Sequence, residues 1–306
     1  MYRGSLSNGE TATRARNSSS VSETPEEIQL LLVDTHCHLD VERFPDGPDS
    51  VIKRAREAGV GLFVDVGVGS NERSSAAVAL AQKRQDVLAA VGIDPHEAGG
   101  CDESRWNLVE LLASATEVVA IGETGLDYHY HSSPPETQRD AFARQIALAR
   151  RWQKPLIIHT REAPRDTIDV LNTEQASDVG GVFHCFTADI ALAREALELG
   201  FYISFSGILT FNSDASLAEA AQFVPADRLV VETDSPYLSP VPVRKIRPCE
   251  PAFVVHTAAY LANLRGATFE SICETTTANA LRLFRASPDR PRIQASAGCR
   301  SGHQTT

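Results

Sequence analysis

Eight short apolar runs recur along this chain, and their regular spacing limits the folds that it can adopt. Each run is rich in β-branched or other strongly apolar residues and is bounded by turn residues, as expected of a strand that is buried on both faces. The runs cover residues 30–38, 60–67, 87–95, 118–127, 155–161, 181–186, 201–207 and 229–236. The pattern therefore predicts eight buried strands.

Amphipathic segments separate these runs, and their apolar residues recur at helical spacing. Such segments cover residues 50–59, 72–85, 136–153 and 191–200. Gly59 and Gly200 stand where a helix is expected to end. Alternation of strand and helix eight times over predicts an α/β protein with the parallel (β/α)8 architecture of a TIM barrel. A doubly wound open sheet is the alternative, but the glycine-rich phosphate turn typical of that fold is missing after the first strand.

The two ends of the chain differ in composition from this alternating region. Residues 1–29 are rich in Ser, Thr, Asn and Gly and lack the apolar periodicity of a buried segment, which predicts a disordered N-terminal extension. The composition of residues 286–306, which also lack apolar periodicity, predicts a disordered C-terminal tail. We therefore expect a single barrel domain over residues 30–285.

Charge and cysteine content narrow the possible environments and partners. The chain has 40 acidic and 29 basic side chains, and its net charge of -11 opposes extended wrapping of nucleic acid or binding to an anionic membrane. The six cysteines form no CxxC pair, no apolar leader precedes the first run, and no apolar run approaches the roughly 18 residues of a membrane helix. We expect a cytoplasmic protein with no membrane contact and no obligate protein partner, which meets any polyanionic substrate locally.

Side chains that can bind metal stand at the C-terminal ends of the predicted strands. They are His36, His38, Asp94, His96, Glu123, His159, His184 and Asp234. In a barrel those ends converge on one face, where the chemistry of such folds is built. A single buried histidine commonly does no more than hydrogen-bond within a core. Six of them, the four histidines His36, His38, His159 and His184 and the two acids Glu123 and Asp234, instead predict a shared metal site at strand ends of the same sense.

The spacing within the first run supports this prediction. His36 and His38 are two residues apart, so on a strand their imidazoles point the same way while Cys37 points to the other side. Cys185 also follows a candidate ligand, and we expect both cysteines to face away from the site as small buried hydrophobic residues.

The predicted ligands indicate the kind of metal site and its chemistry. Mixed imidazole and carboxylate ligands suit Zn, Mn, Fe(II) or Ni. Six ligands exceed the needs of one tetrahedral ion, so two ions about 3.5–4 Å apart are expected, with a carboxylate such as Glu123 able to bridge them. Such a pair of ions is typical of enzymes that catalyse hydrolysis. Asp234 can bind a metal ion through one carboxylate oxygen and act as general base through the other. Serine catalysis lacks support, because the chain contains no G-x-S-x-G motif.

Seven motifs in the chain match, in order and nearly in spacing, those of a known family. They are VDTHCHLD, AIGETGLDYHY, PLIIHTRE, VFHCFT, YISFSGILTF, VVETDSPYLSPVP and TTTANALRLF. From about residue 31 to 285 the chain thus resembles the TatD family of metal-dependent deoxyribonucleases, part of the amidohydrolase-like barrel superfamily. The resemblance implies a (β/α)8 barrel whose binuclear metal centre hydrolyses phosphodiester bonds in DNA, at single strands or ends.

The resemblance also implies roles for individual residues. His36 and His38 would hold the first ion together with Asp234, Glu123 would bridge, and His159 and His184 would hold the second ion. The cofactors would be two divalent ions per chain, such as Mg, Mn or Zn. Asp234 and Glu123 are then the candidate catalytic residues. Candidate substrate contacts are Arg161, Asp94, His96, Tyr128 and Arg244.

Two departures from the family pattern affect these expected substrate contacts. Asp94 occupies the position of the histidine in G-x-H-P, and His96 follows two residues later on the same face of the predicted strand. An aspartate at this position would repel a phosphate unless it is protonated or metal-bound. Residues 242–253, PVRKIRPCEPAF, replace the usual R-G-K-x-x-E-P. Arg244, Lys245 and Arg247 can still form a local phosphate-binding patch, although a merely solvated loop is an alternative.

Two other functions stay open at this point. One is a metal-dependent ester, amide or phosphomonoester hydrolase of the same superfamily, such as an aminoacyl-tRNA deacylase, because fold does not determine function and Asp94 disfavours a phosphate. The other is a non-catalytic interaction protein that kept the barrel, which the presence of all six candidate ligands disfavours.

Overall fold

Eight parallel strands form one sheet whose order follows the sequence from first to last. The structure, a computed structural model, describes residues 32–211 and 215–287. The strands are β1 (Leu32–Cys37), β2 (Val60–Gly67), β3 (Val87–Val91), β4 (Val118–Asp127), β5 (Leu156–Arg161), β6 (Gly181–Phe183), β7 (Tyr202–Phe205) and β8 (Leu229–Val231). The sheet curls into a nearly closed barrel, which confirms the predicted (β/α)8 fold.

Helices follow the strands and surround the barrel. They are α1 (Pro48–Glu57), α2 (Asn71–Lys83), α3 (Glu103–Leu112), α4 (Pro135–Trp152), α5 (Pro164–Thr173), α6 (Ile190–Glu198), α7 (Ala215–Phe223), α8 (Val254–Arg265) and α9 (Phe269–Leu283). Gly59 and Gly200 lie just past the ends of α1 and α6 with φ of 93° and 84°, as predicted, because glycine adopts this left-handed conformation without a Cβ clash.

The apolar core has two layers, which the alternation of strand side chains explains. Residues such as Phe63, Ile158 and Phe205 belong to the layer between the strands and the helices. Their neighbours at alternate positions, such as Val64 and Ile157, belong to a second buried cluster inside the barrel. With its interior filled by side chains, the barrel can offer a site only at its ends.

The barrel closes between its first and last strands through residues that lie beyond β8. Within the described residues, β8 and β1 are joined by no continuous ladder, and a single bridge pairs Cys37 with Ser235. The His38 amide donates to the Ser235 carbonyl and the Asp234 amide donates to the His36 carbonyl, both at 2.9 Å. The seam therefore brings Asp234 beside the two histidines of β1.

Three predicted strands end three or more residues before their apolar runs do, and the polar residues that follow them lie in loops. The runs 87–95, 181–186 and 229–236 correspond to strands that end at Val91, Phe183 and Val231. The prediction that Asp94 and His96 share one face of a strand is therefore wrong. Asp94 Oδ1 instead accepts the His96 amide at 2.8 Å, which turns the chain as aspartate commonly does after a strand.

The two predicted terminal segments lie almost entirely outside the described part of the chain. The predicted extension 1–29 lies outside the described residues, as does the predicted tail beyond residue 287. None of the described helices has the length and apolar character needed to cross a membrane.

Candidate metal centre

Six side chains converge at the C-terminal ends of the barrel strands. His36, Glu123 and His159 lie on β1, β4 and β5, while His38, His184 and Asp234 lie just beyond the ends of β1, β6 and β8. Two groups of three ligand atoms, each group within 4.8 Å, are formed by His36 with Glu123 and His184, and by His36 with His38 and Asp234. Both groups share His36.

Glu123 is the carboxylate at the middle of this cluster. Its Oε1 lies 2.8 Å from His159 Nδ1 and 3.0 Å from His184 Nε2, and its Oε2 lies 3.5 Å from His36 Nε2. Burial alone would raise the pKa of Glu123, but the charge of His184 and contacts with all three imidazoles hold that pKa well below its usual range. Glu123 is therefore ionised and surrounded by three nitrogen donors.

His36 is fully buried. Within the described residues, neither of its ring nitrogens has a hydrogen-bond partner. Burial, followed by the charge of His184, lowers the pKa of His36 below its usual value, so its ring is neutral. A buried polar group is almost always hydrogen-bonded, and an unpartnered neutral imidazole has a lone pair that can bind a metal ion.

His38 is oriented by a backbone carbonyl. Its Nδ1 lies 2.8 Å from the carbonyl oxygen of Val66, and because a carbonyl only accepts, Nδ1 must carry the proton. This contact directs Nε2 toward Asp234 Oδ1, 3.6 Å away. A metal-ligating histidine commonly uses its second nitrogen in this manner. Burial opposes ionisation of Asp234, but His38 and His36 lower its pKa.

His184 is oriented by Glu232, which lies deeper in the barrel. Glu232 Oε1 is 3.3 Å from His184 Nδ1 and accepts the Cys185 amide at 2.7 Å, while Oε2 accepts the Ser204 hydroxyl. This leaves His184 Nε2 facing Glu123. Although burial opposes protonation, Glu123 and Glu232 raise the pKa of His184 well above its usual value.

Asp127 is a candidate ligand that the sequence analysis did not identify. Its Oδ2 lies 3.0 Å from His159 Nε2 and 3.6 Å from His96 Nε2, and these three residues form a third group of possible ligands. Against the effect of burial, Asp127 and Glu123 raise the pKa of His159 to about 9. Asp127 stands four residues after Glu123 on β4, and side chains at even spacing on a strand point to the same face. This spacing could have identified Asp127 as a candidate ligand from the sequence.

The donor set fits divalent metal ions. Imidazole nitrogens and carboxylate oxygens are the ligands of zinc, manganese and similar ions. Without a metal cation, the acids hold protons on His159 and His184, and because a ligating imidazole must be neutral, metal binding would release those protons. The unpartnered nitrogens of His36 are the strongest structural support for this fit.

A cavity of about 730 Å³ opens directly over these side chains. Of the predicted substrate contacts, Arg161, Asp94 and His96 line it. The structure does not bring the other two to this cavity. The Tyr128 hydroxyl donates to Asp166 Oδ2 at 2.7 Å, and the Arg244 guanidinium lies over the Phe211 ring, 3.7 Å from its centre.

Asp94 adds a carboxylate to the cavity wall. Its Oδ1 accepts the amides of His96 and Glu97 at 2.8 and 3.0 Å. Burial, with the charges of Glu123 and Glu97, raises the pKa of Asp94. The side chain thus helps to shape the loop after β3, and two backbone amides lie against its carboxylate.

Cys185 does not face away from the site as its sequence position suggested. It lines the cavity, and its Sγ lies 3.2 Å from the Ser206 hydroxyl oxygen. The expectation was wrong because β6 ends at Phe183, and Cys185 has a left-handed backbone with φ of 43°, so strand alternation no longer applies. Cys37 is buried, with its thiol donating to the Val64 carbonyl.

Comparisons with known sequences place the chain among metal-dependent hydrolases. A family described as TatD related DNase matches residues 33–285. The chain is 40% identical over 255 residues to the uncharacterized metal-dependent hydrolase YabD of Bacillus subtilis, covering 83% of this chain and 99% of that protein. It is 34% identical over 257 residues to the 3'-5' ssDNA/RNA exonuclease TatD of Cronobacter sakazakii, covering 83% and 97%.

Solved structures agree with this placement. The TatD homolog YJJV from Escherichia coli K12 superimposes with a TM-score of 0.79 and 26% identity, covering 84% of this chain and 99% of that chain. A TatD family hydrolase from Entamoeba histolytica has a TM-score of 0.73 at 19% identity and covers 84% and 99%. At that identity the second structure shows a shared fold alone.

Proposed function

This chain belongs to the TatD family of metal-dependent hydrolases, and from that premise we propose that it cleaves phosphodiester bonds in DNA. We further propose that it acts on single strands or strand ends, as an exonuclease would. The name of the Cronobacter sakazakii relative, a 3'-5' ssDNA/RNA exonuclease, supports a nucleic-acid substrate. The proposal depends above all on one feature, the ionised Glu123 with its oxygens 2.8 to 3.5 Å from three imidazoles.

In this proposal the six converging side chains hold two divalent ions, such as Mg, Mn or Zn. His36, His38 and Asp234 would hold one ion, His159 and His184 the other, and Glu123 would contact both. When bound, such ions lower the pKa of water and offset the negative charge of a phosphodiester. Glu232 and the Val66 carbonyl keep the ligating nitrogens of His184 and His38 directed at the centre.

Asp234 is the proposed general base. Its Oδ1 faces His38 and His36 at 3.6 and 3.8 Å, which leaves its other oxygen for the attacking water. The side chain is 16% exposed and lines the cavity, so water reaches it. As the water oxygen bonds to phosphorus, its proton passes to Asp234, and the ester oxygen that leaves takes up a proton in turn.

A second function is favoured by one observation. Asp94 lines the cavity, and a further carboxylate there disfavours a substrate with a diester negative charge. The alternative that this observation favours is an ester or amide hydrolase of the same superfamily, such as an aminoacyl-tRNA deacylase. A phosphomonoester carries more negative charge than a diester, so Asp94 does not favour hydrolysis of that substrate. The local shielding of Asp94 by two amides weakens this objection to DNA.

One experiment separates the two functions. Metal-stripped protein is reloaded with Mg, Mn or Zn and assayed against single-stranded DNA, duplex DNA, a nitrophenyl phosphate diester and aminoacyl-tRNA. We expect cleavage of single-stranded DNA that is abolished by EDTA and restored by metal. Turnover of aminoacyl-tRNA with no DNA cleavage under any of these ions would instead favour the alternative.

A further inference from the structure

Two tyrosine–arginine pairs line the cavity. The guanidinium carbon of Arg43 lies 5.3 Å from the centre of the Tyr237 ring, and that of Arg161 lies 4.7 Å from the centre of the Tyr130 ring. All four side chains belong to the cavity wall. Tyr237 is 51% exposed and Tyr130 is 59% exposed, so each pair leaves much of an aromatic ring open to solvent.

The pairs adjoin different parts of the candidate metal centre. The Tyr237 ring lies 6.5 Å from that of His38, next to Asp234. The Tyr130 ring lies 5.5 Å from that of His96, whose ring is 5.9 Å from His159. The pairs therefore stand on two sides of the cluster centred on Glu123.

Arg43 carries a hydrogen-bond donor that no group in the described part of the chain satisfies. Its Nε lies 3.2 Å from Asp40 Oδ2, which holds the side chain in place, while its buried Nη1 has no hydrogen-bond partner among residues 32–211 and 215–287. A buried donor of this kind costs free energy unless a ligand supplies an acceptor. On a cavity wall, the group that fits a guanidinium best is a phosphate or a carboxylate.

From these pairs we infer that the cavity binds a single nucleic-acid strand on both sides of the bond that is cleaved. One unpaired base stacks on Tyr237 and another on Tyr130, while Arg43 and Arg161 bind the flanking phosphates. The inference rests on the proposed function, since it takes the phosphodiester between those two nucleotides as the one hydrolysed. It assigns substrate binding to Arg43, Tyr237 and Tyr130.

The chemistry of the pairs favours an unpaired strand over a duplex. Bases stack on aromatic side chains with little dependence on sequence, because every base has a π face, and arginine binds the phosphates between them. In a duplex the bases are already stacked on each other, so two separate tyrosines cannot engage them. An oligonucleotide that offers a base on each side should therefore be a better substrate than a mononucleotide ester.

The test is equilibrium binding of a fluorescein-labelled dT8 strand and of an eight-base-pair duplex, followed by anisotropy in EDTA, which prevents metal-dependent cleavage. Tyr237→Leu and Tyr130→Leu should each weaken binding of dT8 by at least about fivefold, the lower end of what loss of one base stack costs. Tyr237→Phe, which keeps the ring, should bind nearly as the unmodified protein does.

Salt dependence gives a second readout that a merely structural effect would not produce. Removing one phosphate contact should lower the slope of log affinity against log salt by about 0.7 for a single strand. We expect this change in Arg43→Gln and not in Tyr237→Leu.

Arg151 and Trp152 provide matched controls. They form another partly exposed cation–π pair, with the guanidinium carbon 5.6 Å from the ring centre, at the C-terminal end of α4 and outside the cavity wall. Arg151→Gln and Trp152→Leu should leave dT8 affinity unchanged.

The outcomes separate this inference from the proposed function. Equal affinity in the Tyr237, Tyr130 and Arg43 variants and the unmodified protein, or duplex binding as tight as that of dT8, would overturn the inference even if DNA is cleaved. Weakened dT8 binding in these variants, with unchanged binding in the controls, would support the strand contacts assigned to Arg43, Tyr237 and Tyr130 even if the metal-loaded protein cleaves no DNA and the proposed reaction fails.

Discussion

Asp34 on β1 accepts two hydrogen bonds from Thr233, one from the backbone amide at 2.9 Å and one from the hydroxyl at 2.6 Å. Both residues are buried, and Thr233 directly precedes Asp234. Because β8 ends at Val231, this contact links β1 to the segment that carries the proposed general base. The closure of the barrel between β1 and the segment after β8 therefore depends on the contact between Asp34 and Thr233. The position of Asp234 depends on the same contact.

Replacing Asp34 should weaken both the fold and the site. Asp34→Ala leaves two buried donors of Thr233 without acceptors, and we expect the free energy of unfolding to fall by about 2–4 kcal/mol. Urea unfolding in EDTA measures this loss without a contribution from metal. Asp46→Ala is the matched control, because Asp46 bonds Arg54 on the surface and its removal should leave the unfolding midpoint nearly unchanged. Equal midpoints for the two variants would contradict the role of Asp34.

Gly125 should tolerate no side chain. Its φ is 132°, and a Cβ at this position on β4 would overlap the carbonyl oxygen of His159 on β5. We expect Gly125→Ala to cost at least about 2 kcal/mol of stability and to weaken metal binding, because His159 must shift. Thermal unfolding and metal titration measure the two effects. Gly100→Ala, where a Cβ meets nothing within 4 Å, should behave as the unmodified protein does.

Much of this architecture could be predicted from the sequence, because its signals are local. Eight apolar runs with helical segments between them predict a barrel, and the spacing of His36 and His38 predicts that both face one centre. The runs predict strand ends less well. Apolar residues continue past Val91, but Asp94 binds the amides that follow it and turns the chain.

Contacts between distant residues could not be read from the sequence. Asp127 was missed because its partner His159 lies on another strand, and Arg43 was missed because its partner Tyr237 is far along the chain. Tyr128 was expected at the substrate cavity, yet its hydroxyl binds Asp166 and Tyr130 lines the cavity instead. Motif membership alone does not reveal which way a loop side chain points.

Glu123 should be indispensable for hydrolysis while contributing little to the shape of the barrel. Glu123→Gln keeps the size of the side chain but removes the charge among three imidazoles, and we expect kcat for metal-dependent DNA cleavage to fall at least about 100-fold. Circular dichroism should show an unchanged fold. Glu162→Gln is the control, since Glu162 also pairs with a histidine, His129 at 2.7 Å, but is 63% exposed. Similar activity in both variants would contradict the assignment.

Asp65 should make stability depend on pH. Burial raises the pKa of Asp65 from 3.8 to about 6, against the effect of the Leu39 amide that donates to it. The folded state then holds the proton of Asp65 more tightly than the unfolded state does, so protonation of Asp65 stabilises the fold. This contribution to stability is complete below about pH 3.8 and is lost as pH rises through 6. Relative to Asp65→Asn, the unmodified protein should lose about 1–3 kcal/mol between pH 4 and pH 7, measured by urea unfolding in EDTA. A difference that stays constant over this range would show that Asp65 does not titrate as described.

The central claim is that residues from separate strands of one barrel bind two divalent ions. Crystals of the protein soaked in manganese, with anomalous diffraction recorded at the manganese edge, test it most directly. The account predicts two manganese peaks in each chain, both in contact with Glu123, with His36, His38 and Asp234 around one and His159 and His184 around the other. Crystals that bind no manganese among these residues, or only at other places on the surface, would contradict it.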